Sequence, residues 1–162
     1  MNMTEKRFSG FTLIETLIYL ALFAIIIGGT VVVTYDIIAG SDNTQIKVVI
    51  SEEGNFLLRK IDWALTGVAS IDSPAAGASG VALSVTKLGL PAGQNPLVFD
   101  LNSGNLRLKR GAGSAMALNS SNATVSNLVF AHLAAIGQRP EAVKASFKLN
   151  GQPFEITKYL RK

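Results

Sequence analysis

Apolar and polar positions change pattern twice along the chain. Residues 16–35 are twenty uncharged, mostly aliphatic positions in succession. A helix rises ~1.5 Å per residue, so this run spans roughly 30 Å, the hydrocarbon thickness of a bilayer. It is apolar on all sides, which calls for lipid or a fully buried core. From Asp36 to about Thr66 the pattern becomes periodic. Ile46, Val49, Ile50, Phe56, Leu57, Ile61, Ala64 and Leu65 recur at spacings of three and four. Lys47, Glu52, Glu53, Arg59, Lys60 and Asp62 mostly fall on the other faces. This predicts that the helix continues into water with an apolar stripe in need of a partner. Trp63 reads as a packing anchor there. Two weak points interrupt the helix. Gly40-Ser41-Asp42-Asn43 predicts a kink. Gly28-Gly29 fits either a bend or close packing between neighbouring helices, since each Gly weakens a helix by ~1 kcal/mol relative to Ala.

After Thr66 the period shortens towards two. Residues 67–80, with Ser70, Asp72-Ser73-Pro74 and Gly77 to Gly80, read as a loop. Residues 81–87 alternate weakly and read as a strand. Residues 96–101 and 106–110 flank Asn102-Ser103-Gly104-Asn105, a hairpin signal. Residues 111–114 read as a loop. Residues 124–133 read as a strand with Val125, Asn127 and Val129 on one face and Leu128 and Phe130 on the other. Residues 134–141, with Gly137 and Pro140, read as a loop. Residues 142–149 and 153–160 flank Asn150-Gly151, the strongest two-residue hairpin signal. The fold class expected is α+β, a long N-terminal helix packed on a C-terminal antiparallel β-sheet. The division expected is a leader over 1–10, a membrane helix over 11–35, an amphipathic extension over 36–66 and a sheet domain over 67–162.

Composition changes this picture little. A chain of 162 residues fits one domain plus an anchor. It has no cysteine, so the outer domain must hold by packing alone. The net charge of +4 is spread along the chain and does not by itself mark a nucleic-acid binder. Lys6 and Arg7 precede the apolar run, which favours a cytoplasmic N-terminus with everything after Asp36 outside.

Candidate chemistry is sparse. His132 is the single histidine, on a strand among apolar residues, and reads as a surface or satisfied core residue. No metal ligand set, calcium loop, serine triad or phosphate loop emerges, and no cofactor is expected. Phe99, Phe130, Phe147 and Phe154 occupy strand positions that suit a core, so no aromatic-lined basic groove is expected in the sheet domain.

The most specific stretch is Ser9-Gly10-Phe11-Thr12-Leu13-Ile14-Glu15. Glu15 stands alone at the edge of an uncharged span, where a carboxylate usually marks a partner or a function. A secretory signal would be cut after its apolar region, whereas here the small residue precedes it. Gly10 through Glu15 and the run behind them resemble the signal of type IV prepilins and type II secretion pseudopilins, closely over about Lys6 to Asp36. The resemblance implies a pilin-like fold and no enzymatic activity. It implies a cut between Gly10 and Phe11 by a prepilin peptidase, and N-methylation of Phe11. It also implies that Glu15 pairs with the Phe11 amine of a neighbouring subunit during assembly. The partners implied are that peptidase, other pilin or pseudopilin subunits, an inner-membrane assembly platform and membrane lipid. No direct nucleic-acid contact is implied. The span lacks the proline common in major pilins, and the chain has no Cys pair and no calcium pattern, which points to a minor subunit. Two function classes stay open: a filament subunit, and a membrane-anchored extracytoplasmic binding module, for DNA uptake or adhesion, that uses the same processing signal.

Overall fold

The computed structural model describes residues 10–91 and 93–160. Lys6, Arg7 and the rest of the expected leader before Gly10 lie outside these residues. Helix α1 covers Leu13–Leu65, and its backbone is helical through both Gly28-Gly29 and Gly40 to Asn43. The chain forms two compact units, the first ending at Ile46 and the second beginning at Lys47. The last turns of α1 therefore belong to the same unit as the sheets.

In the second unit nine strands follow the helix. They are β1 (Val68–Ser73), β2 (Ser79–Gly80), β3 (Leu83–Lys87), β4 (Leu97–Asn102) and β5 (Asn105–Arg110), then β6 (Met116–Ala117), β7 (Val125–Leu133), β8 (Ala142–Leu149) and β9 (Gln152–Tyr159). They pair antiparallel into two sheets, one in the order β1-β3-β4-β5-β6 and the other β2-β7-β8-β9. The arrangement is α+β.

The two hairpin turns form where the turn chemistry predicts them. Ser103 and Gly104 have φ of 50° and 77°, and Asn150 and Gly151 have 48° and 87°. Two successive positive φ values match the right-handed twist of the flanking strands. Across the first hairpin, Arg107 faces Asp100 and donates two hydrogen bonds to its carboxylate at 2.7 and 2.8 Å. That bonding holds the guanidinium above its ordinary pKa.

Several expectations need correction. Residues 67–80 are not a loop throughout, since they contain β1 and β2. Their polar residues misled because Asp72 accepts from Ser70 and, across the β1–β3 pair, from Ser84 and Thr86. Strand β6 was not foreseen; it continues the sheet beyond β5 for two residues. In β7 the alternation is shifted by a bulge. Asn127 adopts φ 53° and the register slips between Ser126 and Val129. Val125 and Leu128 are consequently both buried, and Val129 faces out.

The core lies between α1 and the two sheets. Leu57, Ile61, Ala64 and Leu65 from α1 meet Leu83, Phe99, Leu106, Phe130, Val143 and Leu149, among others. Each such side chain contributes about 1.5–3 kcal/mol on burial. Phe99 of one sheet and Phe130 of the other stand 6.5 Å apart, ring centre to ring centre. The predicted stripe on α1 is only partly used. Ile46, Val49 and Phe56 remain exposed, and so does Trp63, at 36%. Trp63 is thus not the expected packing anchor: Ile61, Ala64 and Leu65 point into the core around it, and its ring is left at the surface.

Candidate functional site

Helix α1 begins with a local cap. Thr12 precedes the first helical residue, and its Oγ1 accepts from the Glu15 backbone N–H at 3.4 Å. The Thr12 carbonyl accepts from the N–H groups of Glu15 and Thr16. Thr12-Leu13-Ile14-Glu15 has the spacing of a capping box, which satisfies backbone donors that a helix start leaves orphaned. The Glu15 carboxylate does not close the box. It accepts instead from the Tyr19 hydroxyl, one turn on, at 3.4 Å. The Tyr19 ring also meets the Phe11 ring edge-on at 6.1 Å. Tyr19 therefore touches both residues that the motif singles out. The sequence signals for Thr12 and Tyr19 were the T-x-x-E spacing and the i+4 offset from Glu15. Gly10 and Phe11 precede the helix and are exposed; Glu15 is half-buried.

Behind the cap, Leu13–Ile38 is long and apolar enough to cross a membrane, and none of its most apolar stretch is buried among the described residues. Its threonine hydroxyls are turned back on the helix. Thr16 donates to the Leu13 carbonyl at 2.9 Å, Thr30 to Ile27 at 2.9 Å and Thr34 to Thr30 at 2.8 Å. Such internal bonding is what hydrocarbon requires, because it offers no partner to a hydroxyl. Among the described residues, nothing beyond the helix's own backbone lies within 4 Å of the sites where side chains at Gly28 and Gly29 would begin.

In the second unit, His132 is buried and fully partnered. Its Nδ1 donates to the Pro74 carbonyl at 2.8 Å, and its Nε2 bonds Glu141 Oε1 at 2.5 Å. It ties the residues after β1 to the residues before β8 and presents no free nitrogen.

One surface of the second unit brings cations over aromatic rings that lie on the helix and not among the strand phenylalanines. Lys60 lies over the Phe56 ring at 5.3 Å, and Lys87 and Arg110 lie over the Trp63 ring at 5.3 and 5.4 Å. Phe56, Arg59, Lys60, Trp63 and Arg110 line one cavity of about 300 Å³. A neighbouring cavity of about 490 Å³ shares Phe56, Lys60 and Arg110 and adds Leu108, Met116 and Leu118. The rings come from the helix, not from the strand phenylalanines. Two of the cations arrive from β3 and β5, far away in sequence, so no linear pattern announces the cluster.

No curated protein and no solved structure matches the chain. Residues 6–31 match the family model of the prokaryotic N-terminal methylation motif, and are thus similar to the signal of type IV pilins and pseudopilins.

Proposed function

We propose that this chain is a minor structural subunit of a type IV pilus-like or type II secretion pseudopilus filament. It is made as a membrane-anchored precursor, with the N-terminus cytoplasmic and the second unit outside. The observation that carries this reading is a match to the methylation motif over residues 6–31 that runs into the 26-residue apolar segment Leu13–Ile38, whose most apolar stretch is uncovered among the described residues. Such a segment needs lipid first and other apolar helices afterwards. Membrane insertion followed by helix packing in a filament supplies both in turn.

In this reading a prepilin peptidase cuts between Gly10 and Phe11, where the absence of a Gly10 side chain leaves the bond accessible. The new Phe11 amine is N-methylated. Glu15, one turn from Phe11, pairs with the amine of a neighbouring subunit. The absence of proline from the span and of any Cys pair supports a minor role. Intact-mass and N-terminal peptide spectrometry test the processing step. The expected product begins at methylated Phe11 in a peptidase-competent host and at Met1 in a peptidase-deficient one. A chain that keeps Met1 in both hosts overturns the reading.

A further inference from the structure

We infer that the surface formed by Phe56, Arg59, Lys60, Trp63, Arg110 and Met116 docks an acidic segment of a different protein subunit, not a second copy of this chain. The proposal rests on the filament reading above and names the partner chemistry of one of its contacts.

The charge inventory carries it. Among the described residues of the second unit, almost every carboxylate has an internal partner. Glu53 accepts from the backbone N–H and hydroxyl of Ser120. Asp62 pairs with Lys158, Asp100 with Arg107, Glu141 with His132 and Glu155 with Lys144. Asp72 accepts from three hydroxyls. Only Glu52 is left without a bond or ion pair. The cations divide differently. Arg59, Lys60, Lys87 and Arg110 gather around two exposed rings, and none has a carboxylate partner. The second unit of another copy would bring the same cations and, among its described residues, one unpaired acid, Glu52, so like charges would oppose docking of one such unit on another at this surface.

The rings and the second cavity choose among anions. Nucleic-acid strands bind basic aromatic surfaces by stacking bases on open ring faces. Here cations lie over both the Phe56 and Trp63 rings. The adjoining cavity is walled by Leu108, Met116 and Leu118, and Met116 is 68% exposed. That floor suits an apolar side chain, and flexible, polarisable Met adapts to varied partners. Carboxylates beside an apolar residue on one segment satisfy both halves of the surface. Strand β6 also closes its sheet as an open edge, beside which an extended segment fits.

The chain reports its own binding, because Trp63 is its single tryptophan. The test titrates the detergent-solubilised full chain with a synthetic peptide of alternating Glu and Leu. Controls are the same peptide with Gln for Glu, and single-stranded oligothymidylate. The acidic peptide should shift Trp63 emission and bind about tenfold or more tighter than its Gln counterpart at low salt, with the difference fading as salt rises. Arg59→Gln with Arg110→Gln should remove that advantage while the chain still unfolds cooperatively, with only the small drop in midpoint that losing the Arg110 contact with the Trp63 ring brings. Equal binding of the Gln peptide, tighter binding of oligothymidylate, or an unaltered double variant overturns the proposal. So does salt-sensitive self-association through these arginines. The N-terminal mass keeps the two readings apart. No acidic preference in a chain that begins at methylated Phe11 removes the docking surface alone. A chain that retains Met1 but binds the acidic peptide removes the filament reading alone.

Discussion

Lys87 reaches from β3 to the end of α1, where its ammonium donates to the backbone carbonyl of Trp63 at 2.9 Å and stands 5.3 Å from the centre of the same residue's ring. It also donates to the Thr66 carbonyl. Helix α1 has no basic residue in its own last turn, and the carbonyls there carry the negative end of the helix dipole; that of Trp63 has among the described residues only a long bond from the Thr66 N–H, at 3.3 Å, besides Lys87. A lysine from the neighbouring strand supplies the missing cation. Lys87→Met should keep the aliphatic packing and lose about 0.5–1 kcal/mol of stability. Lys87→Arg should retain most of it. Denaturant unfolding of the solubilised full chain, followed by Trp63 emission, measures both. An unchanged midpoint in Lys87→Met would show that water caps the helix as well as the ammonium does.

Asn119 organises the connection between the two sheets. Its Oδ1 accepts from the Leu106 N–H at 2.8 Å, and its Nδ2 donates to the Ala123 carbonyl at 2.5 Å. The side chain is 7% exposed, so no water replaces these bonds readily. Asn119→Leu strands a buried N–H and a buried carbonyl, which costs about 1–3 kcal/mol each. The expected result is a markedly lower melting temperature and faster backbone exchange at Leu106. A variant that melts with the wild type would mean that the connection relaxes to find other partners.

What was legible in the chain follows from how local its cause is. Asn150-Gly151 and Ser103-Gly104 announce their turns because two adjacent residues carry the whole requirement, a pair of positive φ values. The uncharged run is equally local. The bulge at Asn127 was hidden because Asn tolerates positive φ without declaring it, and one inserted residue inverts the phase of everything before it. β1 was hidden because its polar side chains find their partners on β3. The cluster around Trp63 is the extreme case. Its rings, Phe56 and Trp63, are about two helical turns apart on α1, but its cations come from three elements, and only the fold brings them together.

Gly54 and Phe154 make a close pair that polarity alone does not reveal. A side chain started at Gly54 would meet the Phe154 ring at 2.2 Å. The ring is stacked on Phe147 at 5.6 Å and 17°, so moving it away from Gly54 disturbs that contact. Ala favours a helix over Gly by ~1 kcal/mol. Overpacking costs about 1–3 kcal/mol and should win. Gly54→Ala is therefore expected to destabilise the chain, and Phe154→Leu in the same background to recover part of the loss. A Gly54→Ala chain more stable than the wild type would show that the ring swings aside freely.

Glu15 has two candidate duties, and they differ in size. As an acid in the first turn of α1 it is favoured by the helix dipole, an effect of about 0.3–1 kcal/mol. As the partner of a neighbouring Phe11 amine inside a dry bundle of helices, its removal would leave one buried charge alone, at a cost of ~3–5 kcal/mol. Its present contact, a 3.4 Å bond from Tyr19, is long and leaves the carboxylate free to change partner. Tyr19→Phe should accordingly disturb assembly far less than Glu15→Val. Glu15→Val and Glu15→Gln should insert and be cut normally, because the small helix-start effect decides neither step, and should then be depleted from the filament. The measurement is the fraction of each variant recovered in sheared filaments, or crosslinked to partner subunits, at equal membrane levels. If Glu15→Val assembles as well as the wild type, no interior pair depends on it. Glu15 then serves only the peptidase or the methylase, which the cut fraction and the methylated fraction of the same variant would reveal.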